Sequence, residues 1–382
     1  MQSFRRTAWM ALAIFIFFSS ACSRKRQQPA QTAEPGEGGL QFADLGEFQL
    51  RSGKVIHDFR LGYRTFGTLN SDKSNAILWP SWLGGTTKDL FSLVGPKNVV
   101  DSDKYFVMLV EAIGNGISSS PSNSPTQPGK YFPEFTIRDM VESQRRLLLE
   151  VLHVSHLRAV VGISMGGIQA FEWAVAYPDF MDLALPMAGS PQLTSYDKLL
   201  WTAEIDAIES DPAWNDGHPT GPLMHGMALA QVIDRMNLSS PEYRATVTSP
   251  DQFAGYISAL KKDSAATGGI AWDQIRQRQA MIRHDLPAEF GISLDDAAHR
   301  VKAKMLVVVS PQDHMVNPLP AMQFAEAIHA PIIKLDSPCG HQSFRCISVG
   351  PTVAAFLADP GLVHSQTIKS TPGATYDQPA KQ

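Results

Sequence analysis

Cysteine is scarce, with three residues in a chain of 382. That excludes a fold stapled by many disulfides. Nor do the histidines supply a zinc pattern: His153 and His156 lie three apart with no cysteine or second histidine pair nearby. They read as helix-end or surface residues, and neither a metal nor a cofactor is expected. Charge of one sign is also lacking. Lys and Arg number 33 against 37 Asp and Glu, and the basic cluster near the start, Arg24-Lys25-Arg26, is short. Nucleic acid is thereby excluded as a partner. No internal repeat is visible.

A full membrane span is missing from the N-terminus as well. The apolar run at residues 8–18 has eleven residues, the length of a signal h-region rather than of a span. Arg5 and Arg6 precede it, and Ser19-Ser20-Ala21 leads into Cys22. A small-residue stretch abutting a cysteine resembles a bacterial lipoprotein signal, in which Cys22 is lipidated and becomes the mature N-terminus. Ser19 departs from that pattern, which has Leu or a similar residue there. Residues 1–22 are therefore expected to be a signal or lipoprotein-type segment. The protein would be exported, either periplasmic or anchored to a bacterial membrane through this end. Residues 23–39, rich in Gln, Pro, Gly and charge, read as a flexible tether. In an oxidising periplasm Cys339 and Cys346 could form a disulfide; two small buried thiols are the equal alternative.

What remains is ordinary globular sequence, 44% hydrophobic and 18% charged. It is long enough for one large domain with an insertion. Short apolar strands are expected at 76–79, 105–110, 158–162, 181–187, 304–309 and 332–335, alternating with helices at 137–152 and 166–177. Continuous apolar strands between helices indicate a mostly parallel central sheet with helices on both faces. Residues 191–300 break the alternation. They carry Trp201, Trp214 and Trp272 on amphipathic stretches and read as an inserted helical lid over an apolar pocket. The core is then 40–190 and 301–360, and the polar residues 361–382 read as a disordered tail. Oligomeric state is not legible, and a dimer is left open.

The chemistry centres on Gly162-Ile163-Ser164-Met165-Gly166. Gly-x-Ser-x-Gly arises by chance in about one chain in eight of this length, so its context matters. An apolar strand precedes Ser164, and Gly166, Gly167 and an apolar helix follow. That strand–turn–helix lifts a serine hydroxyl above a sheet at a helix N-terminus, where developing negative charge is favoured. A serine needs a base. His341 follows the last strand on a loop, beside Gly340, and Asp313 lies just past strand 304–309. His314 is the local rival of His341, but it sits beside the acid and cannot easily turn back on it. Asp313 would hold the histidine tautomer and His341 would take the Ser164 proton. Two backbone donors for a tetrahedral oxyanion are expected from Met165, after the nucleophile, and from Leu83 in Pro80-Ser81-Trp82-Leu83-Gly84-Gly85-Thr86, with Trp82 and Gly84 as alternatives.

Three longer stretches carry a resemblance. They are Leu61-Gly62-Tyr63-Arg64-Thr65-Phe66-Gly67-Thr68-Leu69-Asn70, Thr136-Ile137-Arg138-Asp139-Met140-Val141, and 161–179, above all Ser164-Met165-Gly166-Gly167-Ile168-Gln169-Ala170-Phe171-Glu172-Trp173-Ala174. With them the chain resembles the homoserine O-acetyltransferase branch of the α/β-hydrolase superfamily. The resemblance implies the α/β-hydrolase fold, Ser164, Asp313 and His341 as a triad in that fold's chain order, and Leu83 with Met165 as the oxyanion hole. It departs at three positions. The family's histidine in the oxyanion loop is Ser81 here. Its aspartate after the catalytic histidine, which meets a substrate amine, is Gln342. Its early-lid arginine, which meets a substrate carboxylate, is Ile205, and no arginine occurs between Pro191 and Asp234. A site without those charges should hold homoserine poorly, because its charges would be desolvated without compensation. The expected substrate is a small carboxylic ester hydrolysed through an acyl-enzyme; the alternative is acyl transfer from acyl-CoA to a hydroxyl acceptor.

Overall fold

The computed structural model describes residues 37–265 and 270–371. The signal-type segment with Cys22 and most of the tether lie outside the described residues.

Ten strands form one sheet: β1 (Gln41–Gln49), β2 (Val55–Phe66), β3 (Ala76–Pro80), β4 (Phe106–Val110), β5 (Leu157–Ile163), β6 (Met181–Met187), β7 (Lys304–Met305), β8 (Val307–Val309), β9 (Ile332–Asp336) and β10 (Gln366–Lys369). Their order is β1-β2-β4-β3-β5-β6-β8-β9-β10, with β7 alongside β6. From β4 onward neighbouring strands run parallel. Strands β3 and β5 sit in the middle and are almost wholly buried, which explains the apolar sequence AILWP and, apart from half-buried Arg158, LRAVVGI.

Two strands that no local pattern announced stand at the start. β1 pairs antiparallel with β2, and its register shifts around Gly46, where φ is +64°. That bulge breaks the alternation by which a strand is recognised. The stretch 304–309, expected as one strand, is interrupted at Leu306, whose N–H still reaches the Ala184 carbonyl at 3.0 Å. The tail must be corrected. Residues 366–369, expected to be disordered, form β10 and extend the sheet in parallel beside β9. The open edge of β9 supplies amides and carbonyls that a polar segment can pair with whatever its own hydrophobicity. Residues 372–382 lie outside the described part.

The helices flanking the sheet are α1 (Ile137–Arg146) and α2 (Met165–Ala176). Between β6 and β7 come α3 (Ser195–Glu209), α4 (Met224–Asn237), α5 (Pro241–Val247), α6 (Phe253–Ala265), α7 (Ala271–Ile282), α8 (Leu286–Phe290) and α9 (Leu294–His299). Later ones are α10 (Leu319–Ala327), α11 (Ser343–Cys346) and α12 (Gly350–Ala358). Thr136 starts α1 with a reciprocal cap to Asp139, and Thr194 does the same for α3 with Asp197. One apolar cluster fills the face covered by α1 and α2, and a second fills the face covered by α12. A third lies within the segment between β6 and β7, around Ile205, Ile208, Met227 and Ile275. Among that segment's described residues the long regular elements are all helices, joined by loops such as 210–223. It is not a separate body: Trp201, Met281 and Leu286 belong to the first cluster.

Candidate active site

β5 ends in Ile163 and α2 begins at Met165, so the chain must reverse at the single residue between them. Ser164 does so with φ +57° and ψ −125°, a conformation that costs a non-glycine residue about 1–3 kcal/mol. Its N–H is fixed to the Met187 carbonyl at 2.9 Å. The flanking glycines are required by close approach. A Cβ on Gly162 would collide with the Gly166 carbonyl oxygen; on Gly166 it would lie 2.6 Å from the Pro80 carbonyl, and on Gly167 2.6 Å from that of Met187. The Gly-x-Ser-x-Gly spacing is thus the steric signature of this turn.

The two partners arrive from the C-terminal ends of β8 and β9. His341 stands in a short loop after β9. Gly340, at φ +61°, lets that loop pass so near Ser239 that a Cβ would lie 2.9 Å from the Ser239 Cα. Cys339 and Cys346, left open above, are joined in a disulfide that closes this loop. Asp313 Oδ1 accepts from the Met315 and Val316 amides, 2.9 Å each. Its Oδ2 lies 2.7 Å from His341 Nδ1, and His341 Nε2 lies 2.8 Å from Ser164 Oγ. A carboxylate can only accept, so Nδ1 carries the proton and Nε2 offers its lone pair to the serine hydroxyl. Burial of His341 disfavours the imidazolium. The Asp313 carboxylate and its hydrogen bond outweigh that, with Asp234 and Asp197 adding, and the histidine is shifted upward from its ordinary value. The rival His314 is exposed.

The loop 80–87 lies beside Ser164, held from several sides. The Ser81 N–H donates to the Val110 carbonyl at 2.9 Å. Ser81 Oγ, where the family has histidine, accepts from the Ala112 amide at 3.0 Å. Asn115 Nδ2 reaches the Gly85 carbonyl at 3.2 Å, and buried Glu111 accepts from the Thr87 amide at 3.0 Å. Among the described residues, the amides of Leu83 and Met165 have no acceptor in the protein, whereas that of Gly84 donates to Gln277 Oε1 at 2.9 Å. Of the alternatives for the first donor, Gly84 is therefore occupied.

Above Ser164 lies a cavity of about 410 Å³ whose lining includes Leu83, Gly84, Trp201, Met227, Leu238, Met315, His341 and Gln342. It is not the apolar pocket expected. Asp89, Asp234, Arg235, Arg278 and Arg345 also line it. Each has a partner. Asp89 caps Thr86, and Asp234 lies 3.9 Å from Arg235 and accepts from Gln231. Arg345 stacks on Trp82 and Phe344. Arg278 donates to Glu204 at 2.5–2.6 Å and to Gln274 Oε1 at 2.6 Å. Burial raises the Glu204 carboxyl to about 7 against the pull of Arg278. Ile205 packs in the third cluster and does not line the cavity. Arg235 begins one residue beyond the stretch free of arginine, so its sequence signal was present but unread. Nothing local singles out Arg278. A larger concavity of about 540 Å³ near Glu326 and His329 shares no lining residue with this one. Among the described residues no three His, Cys, Asp or Glu side chains gather to hold a metal ion.

Comparison with known proteins places this geometry in context. The model of the alpha/beta hydrolase fold family matches residues 84–219. An ethyl acetate hydrolase of Pseudomonas veronii is 39% identical over 291 residues, 72% of this chain and 81% of that one. A homoserine O-acetyltransferase of Methanosalsum zhilinae is 32% identical over 341 residues, 78% and 68% of the two chains. A match to a probable esterase of Corynebacterium glutamicum, 40% identical, spans 53% of that protein. Among solved structures, the acetyl esterase MekB superposes with a TM-score of 0.78 at 28% identity, covering 85% of this chain and 98% of that one.

Proposed function

The chain belongs to the α/β-hydrolase superfamily, in the branch shared by homoserine O-acetyltransferases and esterases, and from that premise we propose that it hydrolyses small uncharged carboxylic esters through an acyl-enzyme on Ser164. Ser164 Oγ attacks the ester carbonyl carbon while its proton passes to His341 Nε2. The amides of Leu83 and Met165 receive the oxyanion, and Asp313 stabilises the imidazolium. Collapse returns that proton to the leaving alcohol and leaves the acyl group on Ser164. Water, deprotonated by His341, then repeats the sequence and releases the acid. No cofactor is required.

The observation that carries the preference for water and a neutral ester is the pairing of charge around the cavity. An amino-acid acceptor needs a cation for its carboxylate and an anion for its amine. Here Arg278 is satisfied by Glu204, Asp234 sits with Arg235, and Gln342 stands where the family has aspartate. Export points the same way. The signal-type segment ending at Cys22 supports a periplasmic, lipid-anchored protein, and the Cys339–Cys346 bond suits an oxidising compartment. Acyl-CoA is cytosolic. The second reading, acyl transfer to a hydroxyl acceptor, is favoured by the 32% identity to the Methanosalsum acetyltransferase.

The test uses the purified protein. A fluorophosphonate should label Ser164, and ethyl acetate should be hydrolysed much faster than acetyl is moved from acetyl-CoA to homoserine. Faster transfer than hydrolysis would decide for the second reading; no labelling of folded protein would remove Ser164 from the chemistry.

A further inference from the structure

Resting on the reading of Ser164 as acyl nucleophile, we propose that Gln277, in the helical insertion, is the positioning residue of the oxyanion hole. It has no solvent exposure and lies far along the chain from the loop it touches. Its Oε1 accepts from the Gly84 N–H at 2.9 Å and its Nε2 donates to the Ile113 carbonyl at 3.0 Å. One end meets a donor and the other an acceptor, so the amide has only one orientation that satisfies both.

The geometry of the turn shows why this contact governs Leu83. The Trp82 carbonyl accepts from the Gly85 N–H at 3.1 Å, making 82–85 a tight turn. In a trans peptide the carbonyl and the next N–H point in opposite directions. Holding the Trp82 carbonyl toward Gly85 therefore turns the Leu83 N–H the other way and leaves it without a protein acceptor. The next peptide, Leu83–Gly84, is fixed by Gln277. Gly84 has φ +65°, and Gln274, one turn earlier on α7, lies against it: a Cβ there would be 3.0 Å from Gln274 Nε2. Two side chains on one face of α7 thus grip Gly84 from its amide and from its α-carbon. The far end of Gln277 is anchored at Ile113, just after β4. The insertion and the sheet together set the aim of the Leu83 donor, and α7 is a fixed wall of the site rather than a cover that swings away.

A displaced donor harms the tetrahedral state more than the bound ester, because the charge it serves develops only there. Gln277→Met keeps the volume and removes both hydrogen bonds. It should lower kcat on a small ester by about 10- to 100-fold with KM within about threefold. Affinity for a phenylboronic acid, which mimics the tetrahedral state, should weaken by a similar factor. Gln277→Glu, kept neutral by burial, can still accept from Gly84 and donate to the Ile113 carbonyl, and should keep kcat within about fivefold of wild type. Loss of a merely structural contact would lower the melting temperature of both variants alike and leave boronate affinity in the folded fraction unchanged. If Gln277→Met does not fold, Gln277→Asn, one methylene shorter and unable to span both partners, carries the test through the same boronate measurement, with a similar weakening expected. Unchanged kcat and boronate affinity in Gln277→Met, or a Gln277→Glu no better than the Met variant, would overturn the proposal. Fluorophosphonate labelling of wild-type Ser164 is run alongside: its failure sinks the acyl-enzyme reading, whereas labelled wild type with an indifferent Gln277 sinks the clamp alone.

Discussion

Cys339 and Cys346 close a loop around His341, and replacing both with alanine opens it while leaving little polar debris in a site where Cys339 is fully buried. The bond joins residues separated by 7 positions. The chain-entropy relation for so short a loop gives about 2.4 kcal/mol of stabilisation. A folded body of about 330 residues unfolds with an entropy of roughly 0.7 kcal/mol per kelvin. The double variant should therefore melt about 3–4 °C below wild type, and reductant should reproduce much of that drop in wild type but none in the variant. The catalytic geometry has other supports. Ser343 Oγ donates to the Gly340 carbonyl at 2.7 Å and meets Ser310 Oγ at 3.0 Å, and the Gln342 amide reaches the Cys339 carbonyl at 3.1 Å. Ester turnover at 25 °C should accordingly fall less than about tenfold. Calorimetry and steady-state kinetics on the same preparations check both numbers. An unchanged melting temperature would refute the staple. A loss of turnover beyond about a hundredfold would show that the hydrogen bonds do not hold His341 by themselves.

His341 must be neutral to accept the Ser164 proton, and Asp313 holds its pKa above the ordinary histidine value, so wild-type kcat/KM should fall as pH drops through that raised value. Asp313→Asn removes the main carboxylate and leaves burial opposed only by the weaker pull of Asp234 and Asp197; the acid limb should move to lower pH and kcat should drop by about 10³- to 10⁴-fold, and a limb that stays put in a pH–rate profile would contradict the assignment. Gly162→Ala forces a Cβ onto the Gly166 carbonyl oxygen and should abolish fluorophosphonate labelling or soluble expression; labelling at the wild-type rate would mean the elbow can relax. At pH 8.5, where Glu204 is ionised, Glu204→Leu should cost about 3–5 kcal/mol by stranding Arg278, while Glu204→Leu with Arg278→Met should recover most of it, read by thermal melts. The single variant should also gain on a carboxylate-bearing ester relative to ethyl acetate; an unaltered preference would detach Arg278 from specificity.

What was legible was what close backbone approach writes into residue order. Gly162, Gly166 and Gly167 are glycines because carbonyl oxygens stand where their Cβ atoms would be, and Gly340 because a loop passes Ser239. Only the Gly162 demand is met within a few residues; Gly166, Gly167 and Gly340 answer to Pro80, Met187 and Ser239 elsewhere in the chain, yet each leaves a glycine in the residue order. The continuous apolar strands announced the parallel sheet because both of its faces are buried. The hairpin β1–β2 was not visible, since the bulge at Gly46 breaks its period, and β10 was not, since its partners belong to β9.

Residue order alone placed Ser164 on a tight turn between an apolar strand and an apolar helix, with a histidine and an aspartate after later strands. Which atoms meet was settled by the packing of segments remote in the chain. It brought Asp313 Oδ2 and Ser164 Oγ to opposite nitrogens of one ring. It also paired Arg278 with Glu204 and set Gln277 against Gly84 across 193 positions of chain. A crowded turn shows in residue order because only glycine fits it, whereas a charge or an amide looks the same in any sequence and is given its role by whatever the rest of the chain packs against it.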